Sequence, residues 1–127
     1  MRPRALGISP YFVVSDLQRS IDFYTKLGYA EPFKWGEPPC FAMMNRDGFD
    51  IMLHLANSPD EIRPNGPRGC WDQAIRIDNV PAEIEALKAA GVAIDRGPTV
   101  TEYDMTEIEV VDPDGYRTVI GQNNDPD

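Results

Sequence analysis

The chain has 127 residues, with 21 acidic and 12 basic side chains and a formal net charge of −9. That length suits one domain over residues 1–127, and area scaling lets it bury roughly two thirds of its unfolded surface. The acidic balance argues against nucleic acid as a partner, and no apolar run reaches the ~20 residues of a membrane span. No apolar signal segment follows the basic Met1-Arg2-Pro3-Arg4, and Cys40 and Cys70 form no CxxC or disulfide framework. A cytoplasmic protein is therefore expected.

In chain order, Ser9–Val14 is a β-prone run that leads into a helix. Leu17, Ile21, Tyr24 and Leu27 recur at helical spacing, Asp16 can cap the start and Gly28 can end it. Tyr29–Trp35 supplies a less regular strand. Cys40–Asn45 and Phe49–Leu55 flank Asp47-Gly48, a hairpin signal. Residues 56–69 carry Pro59, Pro64, Gly66, Pro67 and Gly69, the composition of a linker. Trp71–Ile77 then opens a second series. A helix over Val80–Ala90 has Pro81 in its first turn, where the missing N–H costs nothing. Val92–Val100 follows, and Thr106–Val111 with Tyr116–Gln122 flank Asp114-Gly115.

The second series repeats the first. Val80, Ile84, Leu87 and Gly91 stand 63 residues after Leu17, Ile21, Tyr24 and Gly28. Asp114-Gly115-Tyr116 stands 67 residues after Asp47-Gly48-Phe49. Matched helices and matched hairpins in one order read as a duplicated β-α-β-β-β module, about residues 7–55 and 70–122.

The run Asp16-Leu17-Gln18-Arg19-Ser20-Ile21-Asp22-Phe23-Tyr24-Thr25-Lys26-Leu27-Gly28 resembles the first helix of bacterial glyoxalase I. Asp112-Pro113-Asp114-Gly115-Tyr116 resembles the hairpin before that family's last strand. Over about residues 7–122 the chain is similar to the vicinal oxygen chelate superfamily, which includes glyoxalase I, extradiol dioxygenases and the bleomycin- and fosfomycin-resistance proteins. The fold this implies is α+β, with two tandem βαβββ modules forming a curled eight-stranded mixed sheet around a cavity.

In metal-dependent members of that superfamily, four side chains hold a divalent ion, two per module. The resemblance puts those positions at Ser9, Met52, Asp72 and Val119. Only Asp72 is an ordinary ligand for zinc, nickel, manganese or iron, whereas a catalytic zinc usually has three protein ligands. His54 shares a strand face with Met52, yet His54 plus Asp72 is still one short. Neither a metal nor another cofactor is expected.

If the family's strand register carries over, Ser9, Tyr11, Val13, Met52, His54, Asp72, Ala74, Arg76 and Val119 face the cavity. Phe12, Val14, Ile51, Leu53, Ile75, Ile77 and Ile120 then face the helices. The cavity set mixes aromatic, thioether and polar groups, as small-molecule pockets do. Core filling is the competing account of Tyr11 and Met52, and a surface or mutual ion pair that of Asp72 and Arg76. Trp35 and Trp71 add aromatic area as a wall or lid. Tyr103-Asp104-Met105-Thr106-Glu107 resembles a strand segment of metal-free members, with Asp104 where Gly is usual and Thr106 where Arg is usual. Tyr103 and Met105 thereby join the ligand-binding candidates.

Residues and resemblance together imply a metal-independent small-molecule binding protein of the bleomycin-resistance type. Its ligand would be a small cationic or aromatic organic molecule, and its assembly a homodimer. The linker spans roughly 45 Å when extended, so the modules pair within a chain or swap between chains. The enzyme alternative is a glyoxalase-type lyase or isomerase with His54, Asp72 or Glu107 as acid or base. A further alternative is a partner-binding module with a vestigial cavity. No nucleophile elbow, P-loop or GxGxxG is present.

Overall fold

The computed structural model describes residues 1–125, apart from the side chain of Glu31. Contacts divide the chain into two units, Met1–Arg63 and a second from Pro64 onward, each with one four-stranded mixed sheet. No helix among the described residues is long and apolar enough to cross a membrane.

The first unit runs β1 (Tyr11–Val14), α1 (Leu17–Lys26), β2 (Ala30–Trp35), β3 (Phe41–Arg46) and β4 (Phe49–Leu55). Its sheet order is β1-β4-β3-β2, with β1 parallel to β4 and the other pairs antiparallel. The Asp16 carboxylate accepts the Arg19 N–H at 3.0 Å, satisfying one of the unpaired donors at the start of α1. Leu17, Ile21 and Tyr24 on α1 are buried, as are Phe12, Val14, Ala42, Met44, Ile51 and Leu53 on one face of the sheet. Each large apolar side chain so buried is worth roughly 1.5–3 kcal/mol. Asp47 (φ 53°) and Gly48 (φ 92°) both take positive φ, the condition for the tight two-residue turn between β3 and β4.

The second unit runs β5 (Gln73–Arg76), α2 (Val80–Ala90), β6 (Arg96–Val100), β7 (Met105–Val111) and β8 (Arg117–Asn123). Its order, β5-β8-β7-β6 with β5 parallel to β8, reproduces the first unit. The Asn79 side chain caps α2 by accepting the Ala82 N–H at 3.0 Å, and Gly91 in the left-handed region ends the helix. Val80, Leu87, Ile108, Val110 and Ile120 form this unit's core. The expected linker contains single 3-10 turns at Pro59–Glu61 and Gly66–Arg68.

Register carries the duplication into three dimensions. Tyr11 pairs with Met52 in the first unit, and Ala74 pairs with Val119 in the second, at the same offsets of 63 and 67. The hairpins differ, however. β7 and β8 are joined by five residues, 112–116, in which Asp112 Oδ1 accepts the N–H groups of Asp114 (2.9 Å) and Tyr116 (2.8 Å). Pro113 has no N–H to give, so the Asp112 side chain organises this loop, whereas in the first hairpin the Asn45 side chain accepts a single turn N–H, that of Gly48 at 2.9 Å. Ser9 and Asp72 both precede the strands expected to carry them, β1 and β5.

Candidate functional site

Strand alternation leaves each sheet with a face turned away from its helix. On the first sheet the cross-strand pairs build two rows there. One row is Val13, His54, Phe41 and Trp35, and the other is Tyr11, Met52, Met43 and Phe33. All eight side chains are apolar, aromatic or thioether except the His54 imidazole and the Tyr11 hydroxyl. Tyr11, Phe33 and Trp35 are 54%, 60% and 64% exposed, so this is an open aromatic surface and not a filled core. The His54 ring stacks on Tyr11 at a centroid distance of 6.0 Å and tilts against Phe41 at 6.5 Å. Neither row contains a carboxylate. The next position on β4 is Asp50, whose Oδ1 accepts from Asn45 Nδ2 at 2.9 Å.

The sequence candidates Tyr11, Trp35, Met52 and His54 are thus brought together on one surface, with Trp35 at the end of β2. Phe33, Phe41 and Met43 belong to the same surface and were not anticipated. Period-two alternation of Phe41 and Met43 against buried Ala42 and Met44 is the signal that could have found them. On β2 the pairing shifts between Ala30 and Phe33, which hides the alternation there.

The corresponding face of the second sheet is charged. One row holds Arg76, Gly121, Glu107 and Thr99, and the next holds Ala74, Val119, Glu109 and Arg96. Glu109 is buried and Val119 lies beside it, equally buried. Arg117 Nη1 reaches Glu109 Oε1 and Asp95 Oδ2, both at 2.9 Å, while Arg96 lies 3.8 Å from Glu109. Asp95 first, then Glu109, hold the Arg117 guanidinium above its ordinary value against partial desolvation. The Tyr103 hydroxyl donates to Glu107 Oε2 at 2.8 Å. That bond, and repulsion of a phenolate by the same carboxylate, push the Tyr103 phenol above 10.0. Met105 lies over Gly121, its Cε 3.2 Å from where a Cβ would stand.

Trp71 and Asp72 sit at the end of the linker, away from either row of the second sheet. The Trp71 carbonyl accepts from Asn65 Nδ2 at 3.0 Å, and its indole is exposed. Asp72 Oδ1 accepts the Asn65 N–H at 2.8 Å and Oδ2 the Arg117 N–H at 2.7 Å. Both oxygens already serve backbone donors. Val119 offers no lone pair, and Ser9 and Met52 are weak ligands for a hard or borderline cation. Among the described residues, no group of three or more His, Cys, Asp or Glu could hold a metal ion. The donor set does not fit the divalent ion of the metal-dependent relatives.

Residues 8–120 match the model of the Glyoxalase/Bleomycin resistance protein/Dioxygenase superfamily. The chain belongs to this superfamily. Solved structures from the superfamily's fold superpose over nearly its full length. A bleomycin resistance determinant encoded on the transposon Tn5 is 18% identical, with 94% of this chain and 98% of that one covered and a TM-score of 0.72. A bleomycin-binding protein complexed with bleomycin is 19% identical, with 94% and 99% covered and a TM-score of 0.70. An antibiotic binding protein from Streptomyces sp. CB03234 is 24% identical, with 97% and 99% covered and a TM-score of 0.72. At these identities the likeness establishes the fold, and the fold of this superfamily hosts many chemistries. No curated protein matches the chain in sequence.

Proposed function

We propose that this member of the superfamily is a metal-independent small-molecule binding protein whose ligand lies on the outer face of the first sheet. The observation that carries this reading is the pair of aromatic and thioether rows spanning β1, β4, β3 and β2. Flat aromatic rings offer large contact area at low conformational cost, and Met43 and Met52 adapt to irregular outlines. The ligand favoured by such a surface is a planar, largely apolar organic molecule with a hydrogen-bonding group for His54. A cationic ligand would be held there by ring faces alone, since the rows lack a carboxylate. The bleomycin-binding and antibiotic binding proteins among the structural neighbours support a binding role. A cytoplasmic homodimer is part of the same reading.

A thermal-shift screen of planar aromatic compounds and antibiotics, followed by calorimetry on the hits, tests it. A ligand at ~100 times its Kd should stabilise the protein by about 2.7 kcal/mol. Trp35→Ala and Phe41→Ala should each weaken a hit roughly tenfold, and EDTA should change neither binding nor the melting temperature. Hits whose binding ignores both variants, or vanishes with EDTA, would sink the proposal.

A further inference from the structure

Two opposite charges on the outer face of the second sheet stand close without meeting. Arg76 on β5, Gly121 on β8 and Glu107 on β7 occupy one cross-strand row. Arg76 and Glu107 are therefore two strand spacings apart, about 9.6 Å between Cα atoms, within reach of their combined side-chain lengths. Gly121 between them has no side chain. Glu107 Cγ lies 3.1 Å and Met105 Cε 3.2 Å from where a Cβ would be, so both lean over the glycine.

Such a pair could close into a surface salt bridge, but the Tyr103 hydroxyl holds Glu107 Oε2 at 2.8 Å. Arg76 makes no hydrogen bond or ion pair with any described residue, and Glu107 Oε1 has no donor. Glu109, one row away, is already engaged by Arg117 and Arg96 and does not neutralise Arg76. The apolar groups beside the two charges are Ala74 and Val119 in the neighbouring row, which continues into the engaged Glu109, and the Met105 thioether over Gly121.

We propose that this face binds a small zwitterion, with its carboxylate on the Arg76 guanidinium, its ammonium on Glu107 Oε1 and a short apolar spacer over Gly121. The guanidinium fork suits a carboxylate, and an acceptor-only Glu107 oxygen suits an ammonium. A ligand with a single charge leaves one of the two protein groups unanswered, so discrimination comes from requiring both. Every residue this site uses belongs to the second sheet, and it stands whether or not the aromatic rows of the first sheet bind a ligand.

The test is a heteronuclear NMR titration of the full chain with 4-aminobutanoate and 6-aminohexanoate, against hexylamine and hexanoate as singly charged controls. The better zwitterion should shift the amides of Gly121, Arg76 and Glu107 at concentrations about tenfold lower than either control. Arg76→Gln and Glu107→Gln should each abolish that preference, and a dispersed spectrum checks that each variant folds. Because Arg76 is exposed and unpaired, its variant alone keeps the test decisive if Glu107→Gln unfolds. Equal binding of zwitterions and controls, shifts centred elsewhere, or a preference that survives in Arg76→Gln would overturn the site.

Discussion

Asp72 and Arg117 hold each other twice. The Asp72 N–H donates to the Arg117 carbonyl at 2.8 Å, and the Arg117 N–H donates back to Asp72 Oδ2 at 2.7 Å. The second carboxylate oxygen takes the Asn65 N–H at 2.8 Å, so one side chain ties the end of the linker to the starts of β5 and β8. At the corresponding place in metal-dependent relatives the resemblance puts a metal ligand; here peptide N–H groups take both oxygens.

The first expected outcome follows from that geometry. Asp72→Ala leaves two partly buried N–H groups without their charged acceptor, and should cost about 2–3 kcal/mol. Asp72→Asn keeps one acceptor oxygen and should cost about half as much. Urea denaturation measures both, and a loss below ~0.5 kcal/mol for the alanine variant would show that water replaces the carboxylate.

Arg117 and Glu109 form the buried half of a wider ion network. Arg117→Met strands the Glu109 carboxylate, whose remaining cation, Arg96, is 3.8 Å away and largely exposed. A loss of about 3 kcal/mol is expected. Adding Glu109→Leu should recover part of it, because the uncompensated charge is then gone. A double-mutant cycle by chemical denaturation decides, and purely additive losses would contradict the coupling.

Tyr103 supplies a pH-dependent prediction. Its phenol is raised above 10.0 by the hydrogen bond to Glu107 and by that carboxylate's charge. The raised folded-state value means that the bond's contribution is fully present below pH ~10 and is lost as pH rises through the folded pKa. Ultraviolet titration of the phenolates should show one tyrosine whose midpoint falls toward 10.0 in Glu107→Gln. An unchanged midpoint would mean that the two side chains do not interact in solution.

Among the glycines, Gly97 leaves the least room for a side chain. Its φ is +94°, and an added Cβ would lie 2.4 Å from the Glu107 carbonyl oxygen. Gly97→Ala combines backbone strain with a clash against backbone, at about 3 kcal/mol or more. Gly69→Ala, with φ +73° but open space around it, should cost only about 1 kcal/mol. Comparable melting temperatures for the two variants would refute the steric argument.

Local chemistry explains what could be read before the fold was seen. The caps Asp16 and Gly91, the helical spacing from Leu17 to Leu27 and the Asp47-Gly48 turn each act within a few residues, so the elements and their repetition were visible. The alternation of Phe12, Val14, Ile51 and Leu53 likewise predicted which side of the first sheet is buried. Non-local choices were not visible. Asp114-Gly115 looks like Asp47-Gly48, yet the Asp112 side chain draws it into a five-residue loop. Placing Phe41 beside His54, and Phe33 in the row with Met43 and Met52, needs the β2–β3–β4 register, including a shift within β2. The commitment of Asp72 to Asn65 and Arg117 joins residues 7 and 45 positions away, a pairing no spacing rule reaches.

The common register of Tyr11–Met52 and Ala74–Val119 has an evolutionary consequence. The two copies of the module agree in register and in the apolar packing of their helix sides, while the other side of each sheet differs, aromatic in one and ionic in the other. Because neighbouring strand positions point in opposite directions, mutation can explore the outward side without disturbing residues that hold the helix. A combinatorial library confined to Phe33, Trp35, Phe41 and Met43 should therefore yield mostly folded proteins, whereas one at Ala42, Met44, Ile51 and Leu53 should yield mostly unfolded ones.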